Sequence, residues 1–422
     1  DNIFEKKDYK SYVVERLEGM HNSEQIFLML EGGIDAPTLK KLEKILGEFK
    51  NRDGNNYDCI IPVSGARDSY FIVDTIKNKY KMHPLLVTYN KQYNTKIGIR
   101  NLSYLKALLG CDLLTLTVSP KIVRKVTRAT IEKLSSIYWH CLAGQTVFPV
   151  QTAVRFKIPL IVWGAHQGND QVGMYSHLDE VEMTRKYRKD HDIMGVEAED
   201  LVGVNGIEDS EIAPYKYPHD KEIEKVGVRG IYLNNYIRWD SKAQHEDMIK
   251  KYKYETTHQH RTFDTYNDVD CFNYSDLHDY IKFLKWGYGK VTDHASREIR
   301  LKRLTREEGI DLVKKYQNLP STPERLKLFL DWIDMSEKEF FKYIDARRDQ
   351  RIWQKDSGTW KLLDSVTNHV NDDGVEATRL KPARHSLRAG GKKENCKFII
   401  TPSKEPEYKE NKYILIGRGW RD

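Results

Sequence analysis

From about residue 57 to about residue 231, short unbroken apolar runs alternate with longer stretches in which apolar residues return every three or four positions. The runs at 59–64, 85–89, 113–118 and 159–164 are rich in Ile, Leu and Val and are bounded by turn-forming residues, so they read as strands buried on both faces. The stretches 69–80, 94–109 and 121–139 carry helical periodicity and supply the connections. Strand and helix in alternation predict an α/β, Rossmann-like parallel sheet with helices on both faces. Upstream, residues 1–57 read as helical, with Leu39, Leu42, Ile45, Leu46 and Phe49 at helical spacing after Pro37, until the turn-forming residues of 51–56 break the pattern. Downstream, 236–350 is rich in Lys, Glu, Leu and Tyr with helical periodicity, and predicts a helical second domain interrupted by a polar loop at 264–276. The pattern in 351–422 is weaker. Its apolar runs at 397–401 and 413–417 are candidates to pair as strands, and 384–393 is a basic, Gly-containing linker.

In open sheets of this kind ligands sit beyond the carboxyl ends of the strands. Three of those ends are chemically suggestive and are expected to converge on one crevice. The first is Ser64-Gly65-Ala66-Arg67-Asp68-Ser69, after the first strand. Here Gly65 lets backbone N–H groups come close to an anion, and the following helix points its positive end at the same place. Ser64 and Ser69 add hydroxyls, and Asp68 is a candidate ligand for the magnesium that accompanies polyphosphate. The loop is too short for a Walker loop and lacks its Gly-Lys-Ser/Thr ending. The bland alternative is a capped helix start, with Asp68 favouring the helix dipole. The second end is Thr88-Tyr89-Asn90, placed to meet ribose or adenine, and the third runs from Gly164 to Asp170.

Composition narrows the class without changing the architecture. The 422 residues are 39% hydrophobic and 31% charged, as a globular protein requires, and no apolar run has the length of a membrane span. The charged opening, Asp1-Asn2-Ile3-Phe4-Glu5-Lys6-Lys7, does not read as a secretory signal, and the absence of an initiating Met leads us to expect further sequence upstream. A net charge of +7 suits an anionic substrate and is too small to demand nucleic acid. The five cysteines are widely spaced and form no Cys-x-x-Cys pair, so they read as reduced cytoplasmic thiols.

The first loop resembles the pyrophosphate loop of the N-type ATP pyrophosphatases, usually Ser-Gly-Gly-x-Asp-Ser. Ala66 stands where that pattern has its second Gly, and Arg67 keeps a cation at the variable position. Three further stretches make the resemblance more specific: 163–177, beginning Trp163-Gly164-Ala165-His166-Gln167-Gly168-Asn169-Asp170; 230–240, containing Asn235-Tyr236-Ile237-Arg238-Trp239; and 287–300, containing Lys290-Val291-Thr292-Asp293-His294-Ala295-Ser296-Arg297, followed by Thr305-Arg306-Glu307-Glu308-Gly309. Together with the loop they resemble the N-acetyl sugar amidotransferases of bacterial surface-polysaccharide biosynthesis, from about residue 45 to about residue 355.

That resemblance implies an adenine nucleotide alpha hydrolase-like sheet, ATP and Mg2+ as cofactors, and conversion of a sugar N-acetyl group into an acetamidino group with release of AMP and pyrophosphate. It implies a nucleotide-linked diacetamido sugar, with a uronic acid among the candidates, as substrate. It also implies a glutaminase partner with a cyclase-like companion to supply ammonia. Residue by residue, it assigns ATP binding to Ser64, Gly65, Ala66, Arg67, Asp68, Ser69, Thr88, Tyr89, Asn90 and Gly164, and metal binding to Asp68 and Asp170. His166 is a candidate for sugar binding or proton transfer, because a free imidazole titrates near neutrality. Gln167, Tyr175, Tyr236, Arg238, Trp239, Lys290, Asp293 and Arg297 are the candidates for the substrate side, although Asp293 and Arg297, four apart, also suit a plain exposed ion pair. The paired N-terminal cysteines that the family usually carries as a zinc ribbon are absent before Cys59, so no structural zinc is expected.

Two other readings stay open at this point. A tRNA-modifying adenylating enzyme on the same sheet would want reactive cysteines near the site, and Cys141 and Cys271 are a pair that folding could bring together. A non-catalytic scaffold subunit of a glutaminase complex would tolerate a degenerate loop, and Ala66 is its main support.

Overall fold

The computed structural model describes residues 36–166, 182–301 and 303–370. Their centre is a five-stranded, wholly parallel sheet built from β1 (Cys59–Pro62), β2 (Pro84–Tyr89), β3 (Leu113–Leu116), β4 (Leu160–Trp163) and β5 (Arg229–Tyr232), in the order β3-β2-β1-β4-β5. The order reverses direction between β1 and β4, and this switch opens a crevice at the carboxyl ends of the strands. The register pairs Ile60 with Leu85 on one side and with Ile161 on the other.

Because successive strand residues point to opposite faces, each strand feeds two cores. Ile61, Leu86 and Val162 pack on one face with Leu42 of α1 (Ala36–Phe49), Tyr70 of α2 (Arg67–Val73) and Leu105 of α3 (Lys96–Leu109). Ile60, Leu85 and Ile161 pack on the other face with Val147 and Val150 of α5 (Trp139–Phe156), which follows α4 (Pro120–Leu134), and with Ile223 of α6 (Asp220–Val226). The strands are continuous apolar runs because both faces are covered.

The chain after β5 is helical, as its periodicity predicts: α7 (Ser241–Tyr252), α8 (Asp279–Trp286), α9 (Lys290–Arg300), α10 (Arg306–Tyr316), α11 (Pro323–Ile333) and α12 (Glu337–Asp345). It is nonetheless joined to the sheet. Met248, Tyr254, Tyr266 and Val269 share a core with Ile61, and Cys271, Leu277 and Phe329 share one with Ile131 and Cys141.

Three elements depart from the sequence expectation. The fifth strand, β5, lies in a segment singled out only for its motif. The helical stretch 121–139 is two helices, since Ser135 takes a left-handed φ of 50° and closes α4 before α5 starts at Trp139. A hairpin of β6 (Trp353–Asp356) and β7 (Thr359–Leu362) stands where no element was assigned, turned by Ser357 and Gly358 at φ 48° and 87°. The candidate strands at 397–401 and 413–417 and the linker at 384–393 lie outside the described residues. Among the described residues, no helix is long and apolar enough to cross a membrane.

Candidate functional site

The Ser64–Ser69 loop leaves the carboxyl end of β1 and enters α2 directly. It is closed by its own hydroxyls: the Ser64 N–H donates to Ser69 Oγ at 2.9 Å and the Ala66 N–H to Ser64 Oγ at 3.2 Å. Gly65 is required by contact. A methyl group there would sit 2.3 Å from the carbonyl oxygen of Gly98, in the first turn of α3, and one on Gly98 would sit 2.5 Å from Cα of Asp270. Three backbone segments from the loop, α3 and the C-terminal region are thus stacked without room for a side chain. Ala66 is at φ −94° and ψ 163°, ordinary extended backbone, so the methyl group that departs from the family pattern costs no strain.

A cleft of about 200 Å³ opens beside this stack. It is lined by Ser64, Gly65, Thr88, Tyr89, Asn90, Lys91, Asn94, Gly98, Ser103, Lys106 and Asp270, among others. The first two strand ends do converge here. Thr88 is buried, and Tyr89 is tied into the core by hydrogen bonds to His140 Nδ1 (3.0 Å) and to the Tyr215 hydroxyl (2.8 Å). Asn90 shapes the turn: its Oδ1 accepts from the Gln92 N–H and from Asn94 Nδ2. Lys91, Asn94, Gly98, Lys106 and Asp270 were not singled out from sequence. Lys91 directly follows the suggestive strand end and was the most findable of them.

Arg67 does not serve the cleft. Its side chain is buried, with Nε donating to Asn267 Oδ1 at 2.8 Å, a contact to Asp68, and the guanidinium over the Tyr266 ring. Asp68 keeps a side chain 37% exposed. Among the described residues no cluster of three metal-ligating side chains forms. One carboxylate at this place still fits magnesium, which keeps several waters and takes its remaining ligands from substrate phosphates.

The residues of α9 act one layer out, on the polar loop at 264–271. Arg297, 2% exposed, donates from Nη2 to Asp264 Oδ2 and to the Tyr266 hydroxyl, each at 2.8 Å, and from Nε to Glu298. Lys290 is buried, with Nζ at 3.0 Å from Gln259 Oε1 and 3.3 Å from Asp268 Oδ2. Asp293 pairs with Lys282. The exposed Asp293–Arg297 pair that their spacing suggested is therefore not the arrangement found: loop carboxylates and α8 recruit these charges instead. Arg261 with Asp279 forms a further buried pair at 2.7 Å that sequence reasoning missed.

At the end of β4, Gly164 lies beneath Ile72 and Trp239, and Trp239 meets Phe71 edge-on. Tyr236 is fully buried in the sheet core, whereas Arg238 is exposed. His166 is 1% exposed, packed between the rings of Tyr187 and Tyr232. Burial, with some repulsion from His191, lowers its pKa to about 3, which corrects the expectation of a near-neutral titration. Gln167, Asp170 and Tyr175 lie outside the described residues. Cys141 and Cys271 do share one buried core, but burial pushes the Cys141 thiol well up and Cys271 up to about 11, the opposite of what a reactive cysteine needs.

Comparison with known proteins adds the following. Residues 242–367 match the family model described as LPS biosynthesis protein WbpG-like, C-terminal domain. Over 62 residues the chain is 37% identical to an uncharacterized protein, MJ1599, of Methanocaldococcus jannaschii, and that stretch covers 15% of this chain and 22% of the relative's length. The structure of NMN synthetase from Francisella tularensis superposes on 53% of this chain and 97% of its own at 11% identity with a TM-score of 0.27, a likeness too distant to argue from. The match of residues 242–367 to a WbpG-like C-terminal domain agrees with the surface-polysaccharide family that the chain's motifs resemble.

Proposed function

We propose that the protein is an ATP-dependent, AMP-forming amidotransferase that turns an N-acetyl group of a nucleotide-linked diacetamido sugar into an acetamidino group. The observation that carries this reading is the Ser64–Ser69 loop at the end of a central parallel strand, with Ser64 and Gly65 lining a cleft that has Lys91 and Lys106 on its wall and with Asp68 partly exposed in the same loop. The WbpG-like domain supports a sugar of a surface polysaccharide as the acceptor.

The amide oxygen of the sugar attacks the α-phosphorus of ATP, and the bond to the bridging oxygen of pyrophosphate breaks. Ammonia then adds to the imidate carbon, AMP leaves with the former amide oxygen, and a proton is lost. Loop backbone and hydroxyl groups hold the phosphates, and the buried strand ends keep water from the α-phosphorus. Magnesium, held by Asp68 together with phosphate oxygens, would offset the charge that develops on pyrophosphate. Asp170 is proposed as a second carboxylate for it. A glutaminase with a cyclase-like companion is the proposed ammonia source.

The test is to combine the protein with Mg-ATP, ammonium and a UDP-linked diacetamido uronic acid and to follow AMP and sugar mass together. AMP with a sugar whose amide oxygen has become NH is the expected result. AMP with an unchanged sugar would redirect the search to another acceptor, and no AMP even with a glutaminase present would favour a scaffold.

A further inference from the structure

We propose that Lys91 is a polyphosphate ligand of the nucleotide cleft, held in position by Asp270 of the WbpG-like domain. The assignment rests on the reading of this cleft as an ATP site and goes beyond it by naming the cation that site uses. A polyphosphate cradle needs fixed positive charge, and the cation within the loop itself, Arg67, is spent on Asn267, Asp68 and the Tyr266 ring. Lys106 lines the cleft from the last turn of α3 and is exposed. Lys91 lines it beside Ser64 and Gly65 and is 8% exposed, its charge balanced by the single carboxylate of Asp270 and its ammonium at the wall of the cleft.

Its counterion is anchored more firmly than Lys91 is. The Asp270 backbone is wedged against Gly98. The Thr95 N–H donates to the Asp270 carbonyl at 3.2 Å, the Phe272 N–H donates to the Tyr93 carbonyl at 2.9 Å, and Cys271 forms a β-bridge with Asn94. The carboxylate is therefore a fixed post, and Lys91 reaches it at 2.6 Å through a flexible stem. An ammonium carries three donors, and among the described residues Asp270 Oδ2 is the one acceptor within hydrogen-bond distance of Nζ. The remaining donors are those a phosphate oxygen takes. Because Asp270 lies within the residues matched to the WbpG-like domain, the cleft is complete only when that domain is seated on the sheet.

The experiment is calorimetric titration of wild type, Lys91→Arg, Lys91→Met and the double variant Lys91→Met/Asp270→Asn with Mg-ATP and, separately, with adenosine. The double variant removes both charges and so avoids stranding a buried carboxylate. Loss of a charged hydrogen bond to phosphate is expected to weaken Mg-ATP binding about tenfold or more in both Met variants, with adenosine affinity unchanged and Lys91→Arg close to wild type. Mg-ATP affinity unchanged in the double variant overturns the assignment. So does an equal loss for Mg-ATP and adenosine, the mark of a structural role. A wild type that binds no Mg-ATP overturns the nucleotide reading itself, and the assignment with it.

Discussion

At the scale of single residues, the Ser64–Ser69 loop is defined by contact more than by backbone strain. Gly65 and Gly98 are fixed by each other and by Asp270, so adding a methyl group to Gly98 must push the Asp270 backbone away. Overpacking of this kind costs about 1–3 kcal/mol, and Gly98→Ala is expected to lower the urea midpoint and to weaken Mg-ATP binding together, because it moves the Asp270 post. Ala66→Gly, at an extended position, should leave AMP formation near the wild-type rate; activity that appears only in that variant would restore the scaffold reading. Asp68 belongs to a different class. Its carboxylate is partly exposed, so Asp68→Asn should leave the melting temperature almost unchanged while AMP formation falls about 100-fold, the scale of losing one preorganised charge at a reacting centre. A rate within a factor of two of wild type would remove Asp68 from the metal site.

At the scale of elements, the polar loop at 264–271 packs between the sheet and the C-terminal helices, and α9 holds it. Arg297 answers Asp264, which also sits 3.8 Å from His294 and accepts the Tyr266 and Asn267 N–H groups. Arg297→Met strands that carboxylate in a buried place, and removal of one partner of a buried pair costs about 3–5 kcal/mol. We expect a matching fall in unfolding free energy with loss of Mg-ATP binding. A raised KM for sugar with unchanged stability would instead put Arg297 on the substrate. This element marks the limit of what sequence shows. The strands and the Ser64–Ser69 loop were legible because they depend on local periodicity and turn chemistry. Lys91, Gly98 and Asp270 were not, because their roles depend on contacts between segments more than 170 positions apart, as in the Lys91–Asp270 pair at a separation of 179. Arg297 was hidden by a shorter-range contact, over 33 positions: its spacing to Asp293 suggested a local pair while the fold brought it to Asp264. The β6–β7 hairpin carried its signal in Ser357-Gly358, but its strands, exposed at most positions, lack the apolar run that marks the central ones.

At the scale of the whole molecule, the sheet and the C-terminal helices are bound by interiors that contain neutral imidazoles. His140 hydrogen-bonds Tyr89 under the cleft, His166 closes the end of β4, and His294 lies against Thr262 in the layer behind the loop. Burial lowers each of them to about 3, against about 6.5 in an open chain. The unfolded chain thus binds more protons below that value, so the stability these groups contribute is complete above about pH 6.5 and is lost progressively as the pH falls toward 3. Asp264 acts in the same direction further down: burial raises its pKa, but His294 and Arg297 overcome that and hold it below the usual carboxylate range, so its contribution is lost only under strong acid. His140 holds Tyr89, which lines the cleft, so acid is expected to act on the cleft as well as on folding. Urea midpoints measured at pH 8.5, 7.5 and 5 should be nearly equal for the first two and clearly lower at the third, with Mg-ATP protecting the protein at pH 5 if the cleft is formed in the folded state alone. A midpoint that is flat down to pH 5 would mean that these rings are open to water.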